Sequence, residues 1–108
     1  EQDQPEAQAL RAQLTFASVL QGAPNAAELQ QRLAADAGDS EARYQLAAHR
    51  GMAGDYEAAL EELLNLLKRD RAYGEDAARK AMVQIFELLG GSGELVSSYR
   101  GKMTSALF

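Results

Sequence analysis

The sequence predicts an all-α fold, arranged as three antiparallel helical hairpins that stack into a short array. Alanine, leucine, glutamate and glutamine dominate the 108 residues, and all four favour helices. Only six residues are β-branched, so strands are disfavoured. Six segments have the apolar periodicity of helices, joined by connections of two to five residues marked by Gly, Asp or Pro. Connections this short make successive helices antiparallel.

The first predicted hairpin joins a helix over about residues 5–21 to a second helix that begins after Asn25. Gly22 is expected to end the first helix and Gly38 the second. Asn25 and Glu28 have the spacing of a capping box. The predicted apolar faces are Leu10, Leu14, Ala17 and Leu20 in the first helix, and Ala26, Leu29 and Leu33 in the second.

The second predicted hairpin follows directly. Asp39 and Asp55 are good N-caps for its two helices, and Gly54 permits a tight turn between them. The second of these helices has so broad an apolar face that we expect neighbours on two sides. The predicted buried residues are Ala42, Leu46, Ala47 and Ala53, then Ala59, Leu60, Leu63, Leu64, Leu66 and Leu67.

The third predicted hairpin runs from about Glu75 to Leu89 and, after GGSG at 90–93, from Ser92 or Glu94 to the end. The inner face of its first helix comprises Ala78, Met82, Ile85, Phe86 and Leu89. The last helix has a stripe of Val96, Tyr99, Met103 and Leu107 at helical spacing. We expect the inner part of this stripe, Val96, Tyr99 and Met103, to pack on the fifth helix, leaving Leu107 and Phe108 at the tip available to a partner.

Composition excludes several classes of function. The net charge of −5 argues against nucleic acid as the main ligand, because binding phosphates needs clustered Lys and Arg. Without cysteine there is no disulfide, thiolate nucleophile or Cys-ligated zinc. No apolar run is long enough to span a membrane. The acidic start EQDQPEAQ is unlike a signal peptide and is typical of a linker inside a longer protein.

Residues that could carry chemistry are few and poorly placed for it. His49 is the only histidine, and no Cys or partnered Ser adjoins it, so we expect a surface or groove histidine. Adjacent carboxylates at Glu61–Glu62 and Glu75–Asp76 do not face each other on a helix. GGSG lacks the Lys-Ser/Thr of a phosphate-binding loop. The sequence therefore predicts no enzymatic activity, no metal and no cofactor.

Two sets of residues are candidates for binding a protein partner. Arg43 and Arg50 lie two turns apart on the third helix and can share a face. They can contact an acidic peptide in a groove, or pair with acids of the same chain such as Glu57 or Glu61. The last helix can serve as a solvating cap for the array, as a docking helix, or as both. Its candidate residues are Arg100, Lys102, Leu107 and Phe108.

Residues 40–73 resemble a tetratricopeptide repeat. The matching positions are Leu46, Ala47, Gly54, Tyr56, Ala59 and Leu63. Ala47 and Ala59 let two helices approach closely, and Gly54 permits the turn. Four positions depart from the repeat: Arg43, Arg50, Leu66 and Arg71 replace an aromatic residue, a tyrosine, an alanine and a proline. We therefore expect one domain over 1–108, in which 39–73 is the clearest repeat, 1–38 a degenerate hairpin and 74–108 a C-terminal capping hairpin.

A closer resemblance covers nearly the whole chain and includes YEAALEELL, RKAMVQIFELLG and the ending LVSSYRGKMTSALF. These segments resemble the C-terminal tetratricopeptide-like region of the YbbN/CnoX family, the bacterial thioredoxin-fold co-chaperones. In that family a thioredoxin-like domain precedes the helices, and this sequence has no Cys-x-x-Cys. The resemblance implies the helical half of a cytoplasmic protein that holds unfolded clients and works with a GroEL-type chaperonin.

An alternative from a different class is a generic helical-repeat scaffold or self-association domain of another bacterial protein. The upstream gene sequence separates the two hypotheses. A thioredoxin-like domain before Glu1 supports the co-chaperone, whereas a signal peptide supports the alternative.

Overall fold

Six α-helices make up the computed structural model, which describes residues 5–108 and contains no strand in that range. Residues 1–4 of the predicted first hairpin, 1–38, lie outside the described residues. The helices are α1 (Pro5–Leu20), α2 (Ala26–Ala35), α3 (Ser40–Met52), α4 (Tyr56–Arg69), α5 (Ala77–Leu88) and α6 (Glu94–Leu107). The predicted all-α array of helical hairpins is confirmed.

Side chains cap the N-termini of α2, α3 and α4 as the sequence predicts. Asn25 Oδ1 accepts from the backbone N–H of Glu28 at 2.9 Å, and Glu28 Oε1 accepts from the N–H of Asn25 at 3.3 Å. This reciprocal pair is the predicted capping box. Asp39 and Asp55 each accept from the N–H three residues further on, at 3.0 and 3.2 Å. Each cap satisfies a donor that has no partner within its helix.

The core is organised around α4. Six of its residues are buried, and they are the six that the sequence predicts. Its neighbours are α3, α5 and α6, while α2 packs on α3, and α1 packs across α3 and α5. Fully burying a leucine side chain is worth roughly 1.5–3 kcal/mol relative to leaving it exposed. The broad apolar face of α4 therefore holds three neighbouring helices together.

The last helix packs on a different neighbour from the one predicted. Val96 and Tyr99 are buried and Met103 is partly buried, as expected. However, α6 makes its extensive contacts with α4, so the expectation that this stripe packs on the fifth helix is wrong. The apolar face of α4 is wide enough for a further neighbour. Glu61 of α4 also provides an acceptor for the Tyr99 hydroxyl.

The apolar stripe predicted for α1 mostly faces solvent. Leu10 and Leu14 are 54% and 61% exposed, and Ala17 is exposed as well. Of the predicted stripe only Leu20 packs against the core. The helix carries a second stripe, and this is the one that is buried.

The buried stripe of α1 contains Ala12 and Phe16. This stripe faces the core because α3 has space for the Phe16 ring at Gly51. A Cβ atom placed on Gly51 would stand only 2.5 Å from a carbon of the Phe16 ring, so the glycine leaves space for that ring. Gly51 is accordingly buried. Ala53, which the sequence predicts to be buried, is exposed because α3 ends at Met52.

α5 begins two residues later than predicted, at Ala77 instead of Glu75. Gly74, Glu75 and Asp76 have φ angles of 59°, 58° and 72°, which are left-handed and cannot belong to the helix. Asp76 Oδ2 lies 2.6 Å from Arg79 Nε, and this ion pair connects the turn to the helix. The inner face of α5 is otherwise as predicted, with Ala78, Met82, Ile85 and Phe86 buried and Leu89 partly buried.

Replacing Ala59 with Leu tests how closely α3 and α4 approach each other. Ala59 is fully buried in the same apolar cluster as Ala47. The larger side chain has no space there, so Ala59→Leu should lower the free energy of unfolding by about 1–3 kcal/mol. Ala34→Leu, at an exposed position of α2, makes the same change and should leave stability nearly unaltered. Chemical denaturation measures both, and an unchanged midpoint for Ala59→Leu would show that the two helices do not meet at this residue.

Candidate protein-binding surface

The predicted basic residues of α6 lie over aromatic rings of the domain. Lys102 lies over Tyr99, which in turn is hydrogen-bonded to Glu61 of α4. The Tyr99 hydroxyl donates to Glu61 Oε1 at 2.7 Å, and Tyr99 is only 5% exposed. Lys102 Nζ lies 4.5 Å from the centroid of the Tyr99 ring, within the range of a cation–π contact. Burial, the hydrogen bond to Glu61 and the negative charges of Glu61 and Glu57 raise the pKa of Tyr99 to about 12. Tyr99 therefore stays neutral and keeps its proton on the hydroxyl.

Arg100 connects α6 to the turn that follows α5. Its guanidinium carbon lies 5.2 Å from the centroid of the Phe86 ring, and its Nη1 donates to the carbonyl of Gly91 at 3.4 Å. The Arg100 and Lys102 side chains are thus supported by aromatic rings of the domain. Both residues remain exposed, so their charges can still meet a partner.

The two apolar residues at the end of α6 differ in their surroundings. Leu107 is partly buried and packs against the core. Phe108 is fully exposed. Of these two predicted contact residues, Phe108 alone presents its whole side chain to the surface.

The two arginines of α3 also differ. Arg43 is 12% exposed, and its Nη1 donates to Glu62 Oε1 at 3.0 Å. Its Nη2 donates to the carbonyl of Ala37 at 3.0 Å. Arg43 thus pairs within the chain, with Glu62 instead of Glu57 or Glu61. The Arg50 side chain makes no hydrogen bond or ion pair within residues 5–108, and it is partly exposed.

Most of the residues that were candidates for catalysis have structural partners. His49 Nε2 lies 2.9 Å from the carbonyl oxygen of Pro24 and donates to it, which ties α3 to the connection before α2. Glu61 accepts from Tyr99 and Glu62 from Arg43. Within the described part of the chain, no group of three or more His, Asp or Glu side chains could hold a metal ion. No helix in the same range is long and apolar enough to cross a membrane.

Sequence analysis missed the contact between Phe16 and Gly51. A signal was nevertheless present, because glycine in a helix interior costs about 0.5–1 kcal/mol relative to alanine. Gly51 lies in the last turn of α3, and the space left by its missing side chain is filled by the Phe16 ring of α1.

The sequence model of the tetratricopeptide repeat family matches residues 20–108. The chain therefore belongs to the tetratricopeptide repeat family. Repeats of this family are typically non-catalytic scaffolds that bind other proteins. No curated protein and no solved structure matches the chain significantly.

Tyr99→Phe tests the contact that holds α6 on α4. Glu61 is exposed and can be rehydrated, so loss of the hydroxyl should cost only about 1 kcal/mol at neutral pH. The pKa of Tyr99 is about 12 in the folded chain, against about 10 for an unfolded tyrosine. The neutral tyrosine therefore stabilises the fold below pH 10, and this contribution is lost as the pH rises through 12.

Urea denaturation at several pH values between neutral and strongly alkaline measures both effects. As the pH rises over the alkaline range, the free energy of unfolding should fall less in Tyr99→Phe than in the wild type. The fall that remains in the variant comes from Tyr44 and Tyr73, whose pKa values are also raised by burial. Tyr56→Phe is the matched control, because its hydroxyl makes no hydrogen bond within the described residues. Identical alkaline losses in Tyr99→Phe and the wild type would contradict the assignment.

Proposed function

We propose that this chain is the protein-binding helical module of a thioredoxin-like co-chaperone of the YbbN/CnoX type. In this proposal it works in the bacterial cytoplasm, catalyses no reaction itself, holds unfolded clients and docks to a GroEL-type chaperonin. Membership of a family of protein-binding repeats supports the general part. The resemblance of segments such as residues 79–90 and 95–108 to that co-chaperone family supports the particular part.

The observation that carries the docking proposal is the exposed end of α6. Phe108 presents its whole side chain to the surface, and the exposed Arg100 and Lys102 lie on the same helix. Aromatic side chains are frequent anchors of protein interfaces, and neighbouring cations favour an acidic partner surface and speed its approach. We assign Phe108 the role of apolar anchor, with Leu107 fixing it to the core.

The remaining predicted residues have different roles in this proposal. Arg50, whose charge is unpaired within the described residues, is the residue of α3 suited to an acidic peptide. Arg43 positions α3 against α4 through Glu62. We also propose the division predicted from the sequence, in which a repeat over 39–73 lies between a degenerate hairpin over 1–38 and a capping hairpin over 74–108.

A self-association domain or generic helical scaffold is the second candidate. The exposed Leu10 and Leu14 favour it, because they lie one turn apart and form an apolar stripe on the outer side of α1. If the purified chain sediments as a monomer at high micromolar concentration, it does not self-associate and this second candidate fails.

Phe108→Ala tests the docking proposal without disturbing the fold. The side chain is fully exposed, so the melting temperature should not change. If Phe108 is an interface anchor, binding to purified GroEL-type chaperonin should weaken by about tenfold or more, as truncating a hot spot does. Met52→Ala, which removes another exposed apolar side chain, is the matched control and should bind like the wild type.

Binding to immobilised chaperonin can be measured by biolayer interferometry. If Phe108→Ala binds as tightly as the wild type, α6 does not dock through this residue. If the wild-type chain does not bind the chaperonin at all, the co-chaperone proposal itself fails. Deleting both terminal residues is a poorer test, because Leu107 packs on the core and its loss would also destabilise the domain.

A further inference from the structure

A cavity lies between the start of α3 and the end of α4. Its volume is about 280 Å³, and its lining comes from these two helices and from the connection that joins α2 to α3. Leu66 of α4 is buried and forms an apolar floor, whereas Gly38, Arg69 and Asp70 are exposed at the rim. None of the described residues that line the cavity belongs to α6, so a ligand here is independent of docking through Phe108.

The cavity adjoins a position at which the repeat normally carries a large side chain. The tetratricopeptide pattern has a tryptophan three residues before a leucine. Leu46 occupies the leucine position, so Arg43 stands in place of the tryptophan. The aliphatic part of an arginine side chain is much thinner than an indole ring. The substitution therefore leaves space for a ring beside Arg43 and above Leu66.

Arg43 is held in place and does not fill this space itself. Its Nη1 donates to Glu62 Oε1 and its Nη2 to the carbonyl of Ala37, both at 3.0 Å. Only 12% of the side chain is exposed. These hydrogen bonds fix the guanidinium as part of the cavity wall, and a planar guanidinium stacks well on the face of an aromatic ring.

The rim of the cavity offers a second guanidinium and a free acceptor. Arg69 makes no hydrogen bond or ion pair within residues 5–108. Asp70 Oδ2 accepts from the Ser40 hydroxyl at 2.7 Å, whereas Asp70 Oδ1 accepts no hydrogen bond in the described part of the chain. Because each carboxylate oxygen has two lone pairs, Asp70 can accept a further N–H or O–H donor.

Size and charge restrict what the cavity can bind. Arg43 is paired with Glu62, and Arg69 is followed directly by Asp70, so the charges around the cavity cancel. A phosphate or carboxylate would also have to face Asp70, and a neutral group is therefore favoured. Sites for drug-sized ligands usually have volumes of about 300–1,000 Å³, so a smaller cavity suits a single side chain.

We propose that this cavity receives one tryptophan or tyrosine side chain of a protein partner. The ring lies against Leu66 and the guanidinium groups of Arg43 and Arg69, and its indole N–H or phenol O–H donates to Asp70. Such side chains combine a large apolar surface with one polar atom that needs a partner, and they are frequent anchors in the pockets of protein interfaces. The partner thereby supplies the ring that the repeat lacks at Arg43.

The experiment titrates the isotope-labelled chain of residues 1–108 with three neutral probes, the N-acetyl amides of tryptophan, phenylalanine and leucine. Nuclear magnetic resonance should show the amide signals of Gly38, Ser40 and Asp70 moving as the tryptophan amide is added. This probe should bind at least about fivefold more tightly than the leucine amide, which has no ring. The phenylalanine amide, which has a ring but no side-chain donor, should lie between the two.

Two variants at the rim separate the contributions of the donor and the ring. Asp70→Ala should lower the affinity for the tryptophan amide to about that for the phenylalanine amide, and leave the latter unchanged. A cavity that was merely disturbed would bind both probes less tightly. Arg69→Ala removes one cation–π contact and should weaken both aromatic probes about threefold. Arg71→Ala, at an exposed arginine that does not line the cavity, is the matched control and should bind like the wild type.

Restoring the ring within the chain should close the site. Arg43→Trp places an indole beside Leu66 and should abolish binding of all three probes, once circular dichroism has shown that the variant is folded. If this variant does not fold, Asp70→Ala and Arg69→Ala decide the matter, because both positions are exposed.

Four results would overturn the proposal. The first is a wild-type chain whose Gly38, Ser40 and Asp70 signals do not respond to the tryptophan amide. The second is equal affinity for the tryptophan and leucine amides. The third is undiminished binding by a folded Arg43→Trp chain. The fourth is free tryptophan binding at least about tenfold more tightly than its blocked amide, since the ligand would then be the amino acid and not a partner's side chain.

Discussion

The structure depends on the burial of one helix face. α4 places six buried residues on a surface broad enough for α3, α5 and α6. Each of these neighbours buries part of its apolar face on α4, so removing α4 would uncover part of all three. This is the usual situation of helical repeats, in which each unit needs the next to bury its apolar side. The small Ala59 in the same face allows α3 to lie close, and Asp55 fixes where the helix begins.

Polar side chains adjust the geometry that this burial produces. α2 has a single buried residue, Leu29, and its position is set as much by Arg32, which donates to both oxygens of Asp39 at 3.0 Å. The N–H of Ala42 and the charge of Arg32 lower the pKa of Asp39 despite partial burial. The Arg32–Asp39 pair is partly exposed, and exposed ion pairs contribute only about 0–1 kcal/mol each. Its role is therefore orientation, since it aligns α2 with α3. The more buried pair of Arg43 with Glu62 aligns α3 with α4.

The sequence predicts most of the helices and part of the candidate surface. α4 could be predicted in full, because its apolar positions form a single face and the helix has no second apolar stripe. α1 could not, because it carries two apolar stripes and the choice between them depends on Gly51 in a distant part of the chain. The partner of Arg43 was missed for a similar reason, since the register between α3 and α4 is decided by packing. For α6 the residue types were evident, but the rings beneath Arg100 and Lys102 follow from the tertiary structure.

The distribution of exposed and engaged groups suits this domain to binding a protein partner. Of the acidic pairs and the histidine considered for catalysis, Glu61, Glu62, Asp76 and His49 all hold one part of the domain to another. The groups that remain accessible include the apolar Leu10 and Leu14 on α1 and Phe108 beyond α6, together with the basic Arg100 and Lys102. Because α1 packs on α3 and α5 whereas α6 packs on α4, these surfaces rest on different helices. A partner at one therefore need not compete with a partner at the other, so a scaffold of this size can offer two independent contacts.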